Sequence, residues 1–99
     1  MYRLLRTAKL KGGQPNAWPW VKAVVPLTNA KCPGHSPEAY AEAWGTFGNI
    51  CWTATFKDLH DLETTFAKLE ADPEYLAWAQ KFLEFGVEGS LQSTLLKTD

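Results

Sequence analysis

The stretch AYAEAWGTFGNICWTATF, residues 39–56, constrains the fold more than any other part of this 99-residue chain. The dipeptide Gly48-Asn49 is typical of a tight hairpin turn, and it separates two runs in which small and bulky side chains alternate. Alternation with a period of two is expected of strands that bury one face. The sequence therefore predicts two antiparallel strands joined by that turn, with Ala41 opposite Phe56.

Two further strands are predicted at the ends of the chain. Residues 2–10 alternate apolar and polar side chains, although Leu5 and Arg6 interrupt the pattern. Residues 90–97 supply the last strand, after a glycine that closes the preceding helix. The chain thus has strands before, within and after its helical segments.

The helices are marked by their capping residues and by apolar side chains at helical spacing. From Ala17 onward such a stripe is present, but Pro19 and Pro26 predict a kinked or two-part helix. Asp58 and Asp72 each stand just before a further stripe, the position where an aspartate accepts a hydrogen bond from the first turn. We therefore predict one helix after the first strand and a pair of helices before the last.

The resulting order βαββαβ predicts an α+β fold, a ferredoxin-like four-stranded antiparallel sheet with its helices on one face. Residues 1–99 are expected to form a single domain, since a chain of this length builds one core. The second face of the sheet would carry Tyr40, Trp44 and Leu5. Such a face is too apolar to be left in water, and a second copy of the same sheet would cover it.

Composition excludes several classes of protein. With 45% hydrophobic and 21% charged residues the chain is neither disordered nor membrane-spanning, and a net charge of −1 argues against a nucleic-acid partner. Two cysteines, Cys32 and Cys51, are expected to be thiols in a domain rich in aromatic residues. A cytoplasmic location is the expectation.

At this point the chain resembles the dimeric α/β barrel superfamily, whose ferredoxin-like sheets pack face to face in a homodimer. The matching features are the aromatic strand after a glycine hairpin, the helix opener at residues 56–59, and the stretch Leu69–Tyr75 with its Asp-Pro-Glu-Tyr sequence. The resemblance implies that ligands bind between sheet and helices or inside the barrel. The superfamily includes quinol-forming monooxygenases, haem-degrading enzymes, isomerases and stress-response proteins, so it implies no single activity.

The second face of the sheet offers the more suggestive set of side chains. Tyr40, Glu42, Trp44 and Thr53 bring a phenol, a carboxylate, an indole and a hydroxyl onto one surface. Either these residues only form a dimer interface, or Glu42 is a general base and the aromatic rings stack on a substrate. On the first face, Trp52 either packs in the core or lines a ligand cavity.

No metal or cofactor is expected. Cys32 and His35 lie three residues apart, but two cysteines and two histidines in the whole chain are a poor set for zinc. Haem-degrading relatives use an asparagine on the first strand, and this first strand has none. His35 is therefore expected to be a loop residue near the cavity mouth, with a structural or acid/base role.

The sequence predicts a homodimeric α/β-barrel protein that binds a small apolar or aromatic molecule. The alternative is a cofactor-independent monooxygenase or isomerase that acts on a small aromatic substrate. In either case the candidate site residues are two catalytic ones and four that bind the ligand: Glu42 and His35, then Tyr40, Trp44, Trp52 and Thr53.

Overall fold

A computed structural model describes residues 1–12, 16–41 and 48–98. The elements in chain order are β1 Tyr2–Lys9, α1 Ala17–Lys31, β2 Glu38–Ala41, β3 Asn49–Phe56, α2 Leu59–Glu70, α3 Pro73–Gln80, α4 Phe82–Phe85 and β4 Gln92–Lys97. The strands form one sheet in the order β2-β3-β1-β4, and every neighbouring pair is antiparallel. The predicted α+β, ferredoxin-like arrangement is confirmed.

The predicted register of the β2–β3 hairpin is wrong. Ala41 pairs with Ile50 rather than with Phe56, and Ala39 pairs with Trp52. Among the described residues the last pair of this ladder is Ala41 with Ile50, so a turn formed by Gly48 and Asn49 alone does not join the strands. The observed register differs from the predicted one by an even number of residues, so each side chain keeps its predicted face.

The prediction also extended β2 through residues 42–47. Glu42 and Trp44, two of the predicted site residues, belong to this segment and lie outside the described residues.

The central strand β1 settles which side chains face the helices. Leu4 pairs with Ala54 and Arg6 with Trp52, without interruption of the ladder. The break that Leu5 and Arg6 make in the apolar pattern is therefore not a bulge: Leu5 points to the open face of the sheet and Arg6 to the helix-covered face.

The first helix is one uninterrupted segment, so the prediction of a two-part helix is wrong. Pro19 lies in the first turn, where backbone amides have no partner within the helix. Pro26 lies inside the helix on its exposed side. Burial of the opposite side, including Trp20, Val21 and Val24, stabilises the helix against the hydrogen bond that proline cannot donate.

The two later helices begin where the aspartates predict. The Asp58 carboxylate accepts the backbone N–H of Asp61 at 2.7 Å, and the Asp72 carboxylate accepts those of Glu74 and Tyr75 at 2.9 and 3.1 Å. Such caps satisfy amides that the first helical turn otherwise leaves unpaired. They fix where α2 and α3 begin, and the two helices contact each other.

The core between sheet and helices consists of two buried clusters. One lies under the start of α1 and the end of α4: Ala8, Ala17, Trp20, Val21, Ile50 and Phe85. The other lies where α1, α2 and α3 meet: Val24, Cys32, Leu69 and Tyr75. Trp52 and Trp78 are only partly buried and pack against both clusters. The indole rings of Trp52 and Trp78 therefore lie between the two clusters.

Candidate functional site

A cavity of about 200 Å³ lies between the helix-covered face of the sheet and helices α1, α2 and α3. Its lining is mainly aromatic and aliphatic, with polar residues at a few positions. The aromatic members are Trp20, Trp52, Phe66, Tyr75, Trp78 and Phe82. The aliphatic members are Leu4, Val24, Val25, Pro37, Ala54, Leu69, Ala79 and Leu91, and the polar ones are Arg6, Thr28, Glu38 and Thr53.

Two stacked indoles form the wall between α1 and α3. The rings of Trp20 and Trp78 lie 5.0 Å apart between centroids and within 15° of parallel. Each indole N–H donates to the other residue's backbone carbonyl, at 2.8 Å from Trp20 and 2.7 Å from Trp78. The pair therefore fixes one helix against the other by two reciprocal hydrogen bonds as well as by ring contact.

A third indole closes the sheet side of the wall. Trp52 meets Trp20 and Trp78 edge to face, with centroids 5.8 and 5.5 Å away. Its N–H donates to the backbone carbonyl of Val21 at 2.9 Å. All three indole N–H groups thus have partners within the protein, and the surface that they offer to a ligand is apolar ring.

Arg6 is the cationic residue of the lining. Its guanidinium carbon lies 4.9 Å from the centroid of the Phe66 ring, and its Nε donates to the hydroxyl of Ser93 at 3.2 Å. Ser93 is the residue directly opposite on β4. The side chain is half-buried, so these two contacts hold a positive charge beside an otherwise apolar space.

His35 is buried in the loop between α1 and β2 and is absent from the cavity lining. Its Nδ1 lies 2.9 Å from the carbonyl of Cys32, and its Nε2 lies 3.1 Å from the Asp61 carboxylate and 3.3 Å from the Thr65 hydroxyl. A carbonyl and a carboxylate only accept hydrogen bonds, so the imidazole ring is the donor in its contact with either of them. Catalysis by His35 would require one of these bonds to break.

The same histidine joins three elements of the fold. Its ring lies 5.0 Å from that of Phe56, and its backbone carbonyl accepts the N–H and the hydroxyl of Thr55 at 2.8 and 3.2 Å. The hydrogen bond from His35 holds the pKa of the Asp61 carboxyl below its usual range. This arrangement ties the loop to α2 and to the end of β3.

The open face of the sheet carries a second, shallower depression. It is lined by Thr7, Ala8, Lys9, Tyr40, Ala41, Asn49, Ile50, Cys51, Ser90 and Gln92. Tyr40 and Cys51 face each other there across the β2–β3 ladder. Burial raises the pKa of the Cys51 thiol, which keeps this sulfur protonated and weakly nucleophilic.

The structure separates the predicted site residues. Trp52 and Thr53 belong to the cavity lining, although the Thr53 side chain points to the open face, as that of Leu5 opposite it does. Tyr40 lies on the open face, and His35 lies in the buried loop. The main residue absent from the prediction is Arg6, although its interruption of the apolar alternation on β1 was a usable signal.

Trp20 and Trp78 were also absent from the predicted site. They lie on helical stripes, where a large ring is expected in a core, and only their packing shows that they wall a cavity.

Within the described ranges, no group of three or more histidine, cysteine, aspartate or glutamate side chains is arranged to hold a metal ion. The helices of the same ranges include none that is long and apolar enough to cross a membrane.

No protein-family model matches this chain, and no curated protein matches it in sequence. Several solved structures are similar to it in fold. A NIPSNAP family protein with unknown function from Agrobacterium tumefaciens has a TM-score of 0.80 and 21% identity, over 99% of this chain and 87% of its own. A dimeric protein of unknown function and ferredoxin-like fold from Bacteroides fragilis has a TM-score of 0.74 and 17% identity, over 98% of this chain and 95% of its own.

A third similar structure is described as an antibiotic biosynthesis monooxygenase. It has a TM-score of 0.78 and 10% identity, over 100% of this chain and 99% of its own. The chain has the ferredoxin-like fold. The predicted resemblance to the dimeric α/β barrel superfamily is thereby confirmed at the level of the fold, which by itself leaves the activity open.

Proposed function

We propose that this protein binds a small apolar or aromatic molecule in the cavity between the sheet and the helices. The observation that carries the proposal is an apolar space of about 200 Å³ whose walls are held in place by the three indole hydrogen bonds. An apolar cavity of about 150 Å³ in another protein is large enough to take up benzene. A ligand with one or two fused rings therefore matches this cavity in size and polarity.

In this proposal the predicted binding residues have different roles. Trp52 offers the ligand an aromatic edge and face from the sheet, and Thr53 lies where β2 meets β3 at the cavity lining. Tyr40 lies on the opposite side of the sheet, so its part is in contacts between copies. Catalytic roles for His35 and Glu42, and ligand binding by Trp44, stay predictions.

A cavity-filling variant tests the proposal. Ala79 lies on α3 and lines the cavity, whereas Ala67 lies exposed on α2 and is absent from the lining. The purified protein is examined by native mass spectrometry for a retained small molecule and titrated with naphthalene derivatives, with quenching of tryptophan fluorescence as the readout. We expect Ala79→Leu to weaken binding by about tenfold or more, because the added carbons occupy the ligand's space.

The matched variant Ala67→Leu is expected to bind like the wild type. Circular dichroism spectra and melting temperatures establish that both variants are folded. Equal affinity of Ala79→Leu and wild type would show that the bound molecule lies elsewhere, and absence of binding by every probe and of any retained molecule would refute the proposal.

We also propose that the protein acts as a homodimer through the open face of its sheet. The open face combines leucines and a tyrosine with polar side chains, and Tyr40 and Leu96 are 48% and 45% exposed in the single chain. A face of this character is typical of a contact surface. The structurally similar Bacteroides fragilis protein is described as dimeric.

Size-exclusion chromatography with light scattering measures the oligomeric state. We expect a dimer for the wild type and a monomer for Leu96→Asp, because a carboxylate would be buried without a partner in the interface. Leu83→Asp is the control, since Leu83 is 79% exposed on α4, away from the sheet. A monomeric wild type at micromolar concentration would refute the homodimer.

The monooxygenase or isomerase alternative is addressed with the same ligands. Oxygen consumption and product analysis by mass spectrometry would detect turnover. If turnover occurs and is lost in Glu42→Gln or His35→Ala while binding persists, the enzymatic alternative replaces simple binding.

A further inference from the structure

We infer that the ligand of this cavity is a small aromatic monocarboxylate and that Arg6 binds its carboxylate. This inference rests on the proposed function, because it specifies the chemistry of a molecule held between the sheet and the helices. Its starting point is the position of Arg6 on the helix-covered face of a central strand, between Leu4 and Ala8. Apolar side chains normally occupy such positions, since burying a charge without a partner is costly.

The protein leaves part of the Arg6 guanidinium unused. Its Nε donates to the Ser93 hydroxyl, and its central carbon lies over the Phe66 ring. Across residues 1–12, 16–41 and 48–98, neither Nη atom donates to a protein acceptor and no carboxylate lies within 4.0 Å of this guanidinium. Arginine carries five N–H donors in a planar fork, so four of them are available to a ligand.

The contacts of Arg6 also orient the unused donors. The Nε bond anchors the fork to β4, and the guanidinium carbon lies 4.9 Å from the centroid of the Phe66 ring on α2. Arg6 itself lines the cavity, so the inference places the carboxylate of a ligand against the outer edge of the fork. Two parallel N–H groups at that edge match the spacing of the two oxygens of a carboxylate.

The charges of the lining favour a monoanion. Arg6 is the cation and Glu38 the anion among the described lining residues. Glu38 is exposed and is not paired with Arg6. One singly charged carboxylate would neutralise Arg6, whereas a phosphate dianion would bring an uncompensated charge into an apolar space. The lining contains six aromatic side chains, and the cavity volume is about 200 Å³. The remainder of the ligand is therefore expected to be an aromatic group of one ring or two fused rings.

Matched ligand pairs test this inference directly. Benzoate and 2-naphthoate are each compared with the corresponding amide, which has nearly the same shape and no charge. Dissociation constants are measured by isothermal titration calorimetry for wild type, Arg6→Met and Arg3→Met. Methionine keeps an unbranched apolar stem at position 6, and Arg3 is the matched control because it lies exposed on the same strand and points to the open face.

We expect the wild type and Arg3→Met to prefer each carboxylate over its amide by about tenfold or more, the range typical of a hydrogen-bonded charge. Arg6→Met should lose this preference and bind the amides within about threefold of wild type. Should Arg6→Met fail to fold, the wild-type preference and its loss in Arg6→Gln decide the matter. Circular dichroism reports folding in each case.

The outcomes separate the two proposals. If the wild type binds carboxylate and amide equally, or if Arg6→Met keeps the preference, the inference about Arg6 is wrong while ligand binding in the cavity stands. If the wild type binds neither member of either pair, and Ala79→Leu changes no other binding, both the inference and the proposed function are wrong.

Discussion

Replacement of Trp78 by phenylalanine tests whether the stacked indoles hold α1 and α3 together. The substitution removes the N–H that donates to the Trp20 carbonyl at 2.7 Å, and it leaves a smaller ring against an indole 5.0 Å away. The reciprocal bond, from the Trp20 N–H to the backbone carbonyl of residue 78, does not depend on the side chain at 78. The perturbation therefore removes one hydrogen bond and weakens the ring contacts of residue 78, which are those with Trp20, Trp52 and Tyr75.

The expected loss follows from these two terms. A hydrogen bond of this kind contributes about 1 kcal/mol to the free energy of unfolding. The smaller ring loses part of an aromatic contact worth about 0.5–1.5 kcal/mol, together with some buried area. Because Trp78 is half-buried rather than fully buried, we expect a total of about 2–3 kcal/mol. In a domain of this size that lowers the melting temperature by about 10–20 °C.

Guanidinium chloride unfolding, followed by far-UV circular dichroism, measures the free energy without relying on tryptophan fluorescence. Trp18→Phe is the matched control, since Trp18 is 37% exposed on α1, its ring pairs with no other aromatic ring among the described residues, and the Lys22 amino group lies 5.7 Å from the ring. We expect a loss below about 0.5 kcal/mol for this control. Equal losses for the two variants would refute the role given to the Trp20–Trp78 pair.

Two further perturbations address other parts of the fold. Asp61→Asn should flatten the acid dependence of stability. The hydrogen bond from His35 lowers the folded pKa of Asp61 below its ordinary value of 3.8, so its contribution is full above that pH and is lost as pH falls through the folded pKa. Gly86→Ala should destabilise by about 1–3 kcal/mol, because a Cβ there would overlap the Phe82 ring; Gly12→Ala, with open space around its Cβ, should change stability by less than about 0.5 kcal/mol.

The prediction for Asp61→Asn is tested by measuring the free energy of unfolding of both proteins between about pH 2 and 7. Parallel pH profiles for wild type and Asp61→Asn would contradict it. For the second, melting temperatures suffice. Equal values for the two alanine variants would show that Phe82 moves aside at little cost.

Local chemistry was enough to predict where the later helices begin. Asp58 and Asp72 cap helices because an aspartate side chain reaches the amides two or three residues ahead, whatever surrounds it. The strand faces were predictable for a similar reason, since alternation reports burial on one side. The hairpin register was not, because pairing with β1 and packing of Ile50 and Phe56 against the helices outweigh the preference of one turn dipeptide.

The candidate site depended on contacts between distant parts of the chain. Trp52 was predicted either to pack in the core or to line a ligand cavity, and it packs against both core clusters and lines the cavity. The other two indoles belong to helices that are separated by the whole hairpin, and their hydrogen bonds form only once both helices lie on the sheet.

Spacing along the chain is thus sufficient for the α+β order, the helix caps and the face that each strand residue occupies, because these follow from periods of two and 3.6 residues and from bonds to near neighbours. Arg6 shows where that information ends. Its place in the alternation marks an arginine on an apolar face, but its contacts are Ser93 on β4 and Phe66 on α2. Only the packed structure brings those partners together and places Arg6 in the lining of a cavity.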